Sequence, residues 1–349
     1  MRVVLTSVHC WPDVRRGGER YVHELAAGLQ RAGHQAEVLS TGSGSGEVLG
    51  VRVRRLPVRH LRRFGDLDVE AAFGAQALAQ LAGPVLAGRY DVWHATSTAD
   101  AAAATLLRSR VRTVFTDHGF PAAASRQARP DRRLHQRVVD RIGCYVCVSE
   151  AAGSYLSTDY GRAATVVPPG VTWSAHTPAT RDVRPTVLYS GSLTESRKGV
   201  GLLLEAAALL KARVPQLQVW LAGPGELPHD ATLVTRCGLL DDAGLRDAYA
   251  RAWVTVLPST AESFGMTVVE SLASGTPAVV RADGGGPAEI VTPGTGVLSG
   301  PSAQDLAGAL AAALELSQQA GTVDACRERA RAFDWDTAVV PRILAAYQS

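Results

Sequence analysis

The chain contains no asparagine, and lysine occurs only at Lys198 and Lys211; every other base is arginine. Both scarce residue types use A-rich codons, so a GC-rich genome accounts for the bias. A lysine kept at 198 against that bias is a candidate for chemistry. Lys211, at the end of an apolar helix pattern, reads as solvated. Cysteine is sparse, odd in number and scattered (Cys10, Cys144, Cys147, Cys237, Cys326), which argues against a disulfide framework. Cys144 and Cys147 form a C-x-x-C in an apolar run with no second pair nearby, the pattern of structural thiols rather than a metal or redox site. No apolar run approaches the roughly 18 residues of a bilayer span. The opening M-R-V-V-L-T-S-V lacks the length and cleavage site of a signal peptide, so a cytoplasmic protein is expected. The fingerprint G-x-G-x-x-G is missing, which disfavours a dinucleotide enzyme. The one D-x-D, Asp66-Leu67-Asp68, lies in a polar loop and reads as helix-entry chemistry. No metal site is expected.

What is present is enough for two packed domains. The chain has 349 residues, 46% hydrophobic and 20% charged, so disorder is not expected. A buried strand over residues 2–8, a loop with Gly17-Gly18, an amphipathic helix through Tyr21, Leu25 and Leu29, and a strand over 36–40 open a doubly wound domain. Residues 41–46 read as a flexible turn. Strands at 90–95 and 111–116 deliver His94, Thr96, Ser97, Asp117, His118 and Gly119 to one sheet edge, where open α/β sheets bind ligands. Ser149 is placed as a helix N-cap. Pro and polar residues make 176–185 the best linker. A second strand–loop–helix series starts at residue 186. Two arginine clusters stand out: Arg52, Arg54, Arg55, Arg59, Arg62 and Arg63, then Arg126, Arg129, Arg132, Arg133, Arg137 and Arg141. Such runs are usually solvated faces; the functional readings are an anionic acceptor or a peripheral contact with an anionic membrane. Neither has the interleaved aromatics of a nucleic-acid platform, so no nucleic-acid partner is expected.

The stretch from Pro258 to Gly286 organises the second half. It reads as strand end, polar loop, helix, tight turn and strand. Glu262 is on the loop, Gly265 stands where the helix begins, Glu270 is in the helix, and Gly275 stops it before Pro277. A helix N-terminus with glycine beside it offers free N–H groups and a positive dipole end, which suits phosphate. Carboxylates on either side suit sugar hydroxyls. Phosphate in the middle with sugar on both sides describes a nucleotide-sugar.

Glu262 and Glu270 form E-x7-E inside E-S-F-G-M-T-V-V-E-S-L-A-S-G-T-P, which closely resembles the signature of the retaining glycosyltransferases of family 4 (glycosyltransferase group 1). The resemblance covers nearly the whole chain and is specific mainly from 186 to 292. It implies the GT-B fold: an α/β protein with two Rossmann-like doubly wound domains facing across a cleft and a C-terminal helix crossing back to the first. The expected boundaries are 1–175 for the acceptor domain, 183–332 for the donor domain and 333–349 for the returning helix. G-S-L-T-E-S-R-K-G, residues 191–199, resembles the family's phosphate-binding segment, with Lys198 on its lysine. The family's arginine is Ser192 here, so Arg197 or Ser192 is expected to cover that role. T-D-H-G places His118 on the family's catalytic histidine; a strand-end histidine capping a loop is the plain alternative. V-P-P-G-V departs from the family's P-N-G-V, with Pro169 in place of asparagine.

The implied reaction moves a hexosyl unit from a nucleoside diphosphate sugar, UDP- or GDP-linked, to a hydroxyl of a sugar, lipid-linked sugar or small natural product, with retention and without metal or other cofactor. The expected catalytic residues are His118, Glu262 and Lys198. The expected donor-binding residues are Gly18, Gly191, Ser192, Arg197, Lys198, Gly223, Glu262, Ser263, Phe264, Gly265, Met266, Thr267 and Glu270. A GT-B sugar-nucleotide epimerase and a non-catalytic nucleotide-sugar-binding relative are the alternatives. Donor identity, acceptor, linkage and oligomeric state are not written in these motifs.

Overall fold

The computed structural model of the chain describes residues 1–14, 16–57, 66–119, 132–226 and 233–349, with the side chains of 66–68 left aside. Arg59, Arg62, Arg63, Arg126 and Arg129 of the arginine clusters lie outside the described residues. The chain divides into two compact units, Met1–Gly170 with Trp335–Ser349, and Val171–Asp334.

The first unit is built on β1 (Arg2–Thr6), α1 (Gly17–Arg31), β2 (Gln35–Thr41), β3 (Gly46–Val48), β4 (Val51–Leu56), α2 (Asp66–Leu86), β5 (Val92–Ala95), α3 (Thr98–Thr105), β6 (Arg112–Asp117), α4 (Arg132–Arg141), β7 (Cys144–Cys147), α5 (Glu150–Tyr160) and β8 (Thr165–Val166). The strands lie in the order β3-β4-β2-β1-β5-β6-β7-β8, parallel except for the β3–β4 pair. Strand alternation explains why helices cover both faces. Val3 and Leu5 pack with Tyr21, Leu25 and Leu29 of α1, whereas Val4 between them packs with Phe73, Ala77 and Leu81 of α2. Each fully buried leucine here stabilises the fold by about 2 kcal/mol.

The second unit runs β9 (Thr186–Ser190), α6 (Val200–Lys211), β10 (Gln218–Ala222), β11 (Val234–Gly238), α7 (Asp242–Arg251), β12 (Val254–Leu257), α8 (Met266–Ala273), β13 (Ala278–Arg281), α9 (Pro287–Ile290), β14 (Gly296–Ser299), α10 (Ala303–Ser317) and α11 (Thr322–Arg331). Its parallel sheet has the order β11-β10-β9-β12-β13-β14. Val187 and Tyr189 of β9 face Leu203, Leu210, Leu306 and Leu310, while Leu188 faces Tyr249 of α7. The last helix, α12 (Val340–Gln348), belongs to the first unit. There Val340 and Ile343 join the α1 core, and Trp335 covers Gly170, where a Cβ would come within 2.4 Å of the indole.

Strand order reverses once in each sheet. The chain moves from β1 outward through β2 to β4, then returns to place β5 on the other side of β1; in the second sheet the same reversal separates β9 from β12. Such switch points open a crevice beyond the strand ends, where ligands of open α/β sheets bind.

Three local expectations change. Residues 41–46 do not form a plain flexible turn throughout: Gly46–Val48 pairs antiparallel with Val51–Val53, and Leu49 and Gly50 form the tip at φ +47° and +82°. A two-residue tip with both φ positive matches the twist of a hairpin. The 176–185 stretch is not a free linker. His176 is buried with Nδ1 2.9 Å from Ser274 Oγ, Arg181 donates to the Trp253 carbonyl at 2.7 Å, and the Asp182 amide to that of Arg251 at 2.9 Å. Accordingly the first stretch of chain ends at Gly170, where the sequence placed a boundary at 175. No helix among the described residues is long and apolar enough to cross a membrane.

Candidate active site

In the second unit the loops after β9 and β12 meet at the switch point. The Thr260 amide donates to the Arg197 carbonyl at 2.9 Å, and a Cβ on Gly199 (φ +71°) would stand 2.5 Å from the Pro258 carbonyl oxygen. Only glycine permits that approach and that backbone. The zipped loops present Lys198 and Glu262 to each other: Lys198 Nζ lies 2.7 Å from Glu262 Oε2, and both side chains are mostly buried, at 16% and 17% exposure. Arg197 Nη1 reaches the same oxygen at 3.3 Å, while its Nη2 holds Glu195 at 3.0 Å. Arg197 thus joins Lys198 on Glu262, while Ser192 offers its carbonyl to the Tyr189 hydroxyl at 2.7 Å.

Glu262 is fixed from behind. Its amide donates to the Gly284 carbonyl at 2.8 Å, and its carbonyl accepts from the Gly286 amide at 3.0 Å. A Cβ on Gly286 would meet the Ser263 carbonyl at 2.2 Å, which explains the glycine run downstream of the motif. Ala261, the preceding residue, has φ +53°, an uncommon backbone for a side chain with a Cβ and a form of strain that gathers at functional sites.

Gly265 (φ +105°) starts α8. The first amides of a helix have no intrahelical acceptor, and those of Met266 and Thr267 gain none elsewhere among the described residues. Thr267 Oγ1 and Ser259 Oγ are buried without a hydrogen-bond partner. Buried orphans of this kind cost stability unless a ligand completes them. Glu270, a turn into α8, is 5% exposed and accepts from the Tyr249 hydroxyl at 3.0 Å. Phe264 points into the unit and packs on Phe333 with ring centroids 5.6 Å apart, so its ring serves the loop's rigidity and the site is left with its backbone. Gly191 and Gly223 press the β9 and β10 turns together: a Cβ on Gly223 would stand 2.0 Å from the Gly191 carbonyl oxygen.

The first unit gathers a second set at its own switch point. Gly18, in the first turn of α1, stands beside His118, with its ideal Cβ position 3.9 Å from the imidazole. Tyr21 meets the same ring edge-on at 4.5 Å. Burial pushes the His118 imidazole down to about 4 against the opposing pull of Asp117, so it is neutral near pH 7, and its Nε2 is buried without a partner. His94 differs. It is fully buried, with Nδ1 2.7 Å from the Tyr347 hydroxyl and Nε2 2.7 Å from Thr116 Oγ1, and Thr116 Oγ1 also meets the Tyr21 hydroxyl at 3.3 Å. Burial drives His94 down to about 3. It is a structural histidine; the strand-end position alone does not make it a ligand group. Ser97 opens α3 by donating its amide and hydroxyl to Asp100, at 2.8 and 2.6 Å.

Sequence reasoning missed Ser259, Tyr249 and Tyr21. Ser259 sits in the motif loop and had a positional signal; the two tyrosines look like core residues of amphipathic helices and had none. Among the described residues no group of three or more His, Cys, Asp or Glu could hold a metal ion.

Two doubly wound parallel-sheet units, the second with a basic loop and a helix N-terminus at its switch point, define the GT-B class of transferases. The sequence model described as Glycosyltransferase Family 4 matches residues 15–173, and that described as Glycosyl transferases group 1 matches 184–316. The D-inositol 3-phosphate glycosyltransferase of Gordonia bronchialis is 31% identical, over 99% of this chain and 88% of its own length. The chain therefore belongs to the family 4, group 1 glycosyltransferases and is an enzyme. Among solved structures, the sucrose-phosphate synthase of Thermosynechococcus elongatus superposes with a TM-score of 0.82 at 22% identity, covering 99% of this chain and 98% of its own. Alr3699/HepE of Anabaena, in complex with UDP-glucose, gives 0.78 at 19% identity, covering 100% and 99%.

Proposed function

We propose that this glycosyltransferase moves a hexosyl unit from a UDP- or GDP-sugar to a hydroxyl of a compact, anionic acceptor in the cytoplasm, with retention and without a metal ion. The observation that carries the donor reading is the cluster of Lys198 and Arg197 on Glu262, beside the unpaired amides of Met266 and Thr267 and the orphaned Thr267 hydroxyl. These groups match a diphosphate in charge and hydrogen-bond sense. The UDP-glucose bound by Alr3699/HepE supports the same donor class. A relative named for D-inositol 3-phosphate supports a phosphorylated polyol as acceptor.

In the reaction the bond from the anomeric carbon to the diphosphate oxygen breaks as the acceptor oxygen bonds to that carbon from the same face. The acceptor proton passes to the leaving phosphate oxygen. Negative charge grows on the diphosphate, where Lys198, Arg197 and the α8 amides are already aligned, so little reorganisation is needed at the moment of reaction. Glu270 accepts from the ribose hydroxyls. Glu262 accepts from sugar hydroxyls and sets the anomeric carbon. Neutral His118 offers Nε2 to the sugar or to the attacking hydroxyl. Gly18, Gly191, Ser192, Ser263 and Gly223 supply close backbone approach.

The test is thermal stabilisation by UDP-, GDP-, ADP- and dTDP-sugars with and without EDTA, followed by NMR of the anomeric configuration of the product. A ligand at a hundred times its Kd adds about 2.7 kcal/mol to stability. One nucleotide series should stabilise the protein regardless of EDTA, and the product should keep the donor's configuration. An inverted product refutes retention, loss of activity in EDTA refutes metal independence, and silence with every sugar nucleotide refutes the donor reading.

A further inference from the structure

The cations expected to meet a diphosphate are paired with a carboxylate of the same site. Lys198 Nζ and Arg197 Nη1 converge on one oxygen, Glu262 Oε2, at 2.7 and 3.3 Å. The pair is not a loose surface contact, since Lys198 and Glu262 are both more than four-fifths buried. Nor can the loops easily part. The Thr260–Arg197 backbone bond and the Gly199–Pro258 contact hold them together, and Glu262 is tied through both its amide and its carbonyl to the glycine run. What can move is the Glu262 side chain.

We propose that the Glu262 carboxylate is a place-holder for the donor's diphosphate, and that its displacement makes the site favour the intact sugar nucleotide over the spent nucleoside diphosphate. This rests on the donor reading above. When a diphosphate takes Lys198 and Arg197, the carboxylate loses both cations. An intact donor brings sugar hydroxyls that donate to the displaced carboxylate. A nucleoside diphosphate brings none, so the carboxylate is left partly buried and unpaired, which is costly. The same residue that positions the sugar thus expels the product and blocks its return. Glu262 becomes a specificity-determining residue that distinguishes substrate from product by the presence of the sugar alone.

The test is titration calorimetry of wild type, Glu262→Gln and Glu262→Ala with UDP, UDP-glucose and the corresponding GDP pair, with inorganic pyrophosphate as a base-independent probe. Melting curves confirm that each variant is folded. Glu262→Gln keeps the shape and removes the charge. It should bind UDP or GDP and pyrophosphate about tenfold more tightly, which corresponds to ~1.4 kcal/mol. Its affinity for the sugar nucleotide should fall or stay level, so the preference for donor over product collapses. Glu262→Ala, which lacks the hydroxyl acceptor as well, should show the same tightening towards pyrophosphate. Weaker or unchanged diphosphate binding in both folded variants overturns the place-holder. Wild type that binds neither sugar nucleotides nor pyrophosphate overturns the donor reading itself and the place-holder with it, a different result from tight wild-type binding that the variants fail to improve.

Discussion

The two units use the same core strand order to build opposite kinds of candidate site. In the second, backbone makes the site. Glycines at 199, 223 and 286 allow loops to touch through main-chain atoms, and the charged side chains are mounted on that frame. In the first, side chains make it. His118 stands on Tyr21, Tyr21 shares Thr116 with His94, and His94 is held by Tyr347 of the last helix. Backbone contacts demand particular glycines at particular spacings and leave a written signature. Side-chain contacts can be met by many residue combinations and leave almost none.

The largest test of this contrast is Lys198→Ala. If the backbone-framed loops serve to aim one cation at the leaving diphosphate, kcat/KM should fall by about a hundred- to a thousandfold, as on removal of one preorganised donor to a developing charge. The melting temperature should also fall, because Glu262 is left mostly buried with only its longer contact to Arg197; near-normal turnover in the folded variant would take Lys198 out of the chemistry.

Next comes the exchange of the two histidines. His118→Ala removes a group with an unpartnered buried nitrogen, so it should cost activity by about a hundredfold, the scale of a positioned acid–base or hydrogen-bonding group, with little loss of stability. His94→Ala removes a group bonded at both nitrogens and should do the reverse, destabilising by about 2 kcal/mol or more through the unpaired Tyr347 and Thr116 hydroxyls. Parallel steady-state kinetics and urea titrations separate the two. Equal losses in both measurements for both variants would erase the distinction between site and scaffold in the first unit.

The smallest effects concern pH and Tyr347. Burial holds His94 at about 3 and His118 at about 4 in the folded chain, below the ordinary histidine value of about 6.5. The unfolded chain takes up these protons as pH falls through about 6.5 and the folded chain does not, so stability should decline between about pH 6.5 and 4. Asp100, which burial lifts to about 6, acts in the other direction from about pH 4 to 6, but His23, which burial also lowers, makes it one group against three histidines. Tyr347→Phe should cost about 1 kcal/mol at neutral pH by removing one buried hydrogen bond. His94→Gln should flatten the acid side of the curve. A urea midpoint that stays level from pH 7 to 5 in wild type would contradict histidines held neutral in the fold.

The same contrast explains what could be read in advance. The E-x7-E stretch, the Lys198 loop and the turn glycines were legible because each has a backbone reason. The fold class was legible for the same cause, through alternating strand and helix patterns. The tightly packed stretch at 176–185 was not, since Pro and polar residues look alike whether they span a gap or lie against a domain; only the buried His176–Ser274 bond distinguishes them. The hairpin at Gly46–Val53 was hidden because Leu49 is an unusual tip residue. Tyr249 was hidden because the hydroxyl that holds Glu270 sits on a ring whose burial already satisfies the helix pattern.

The placement of residues 335–349 has a further consequence for how the protein is made. The second unit is one uninterrupted stretch, Val171–Asp334, whereas the first needs Trp335, Val340, Ile343 and Tyr347 to complete its core. On the ribosome the later-synthesised half can therefore finish folding first, while the earlier half waits with its α1 groove open for the last helix to emerge. Premature termination anywhere before Tyr347 would leave His94 without its hydroxyl partner, so the strand-end edge that carries His94 and His118 is completed only after translation has reached this far.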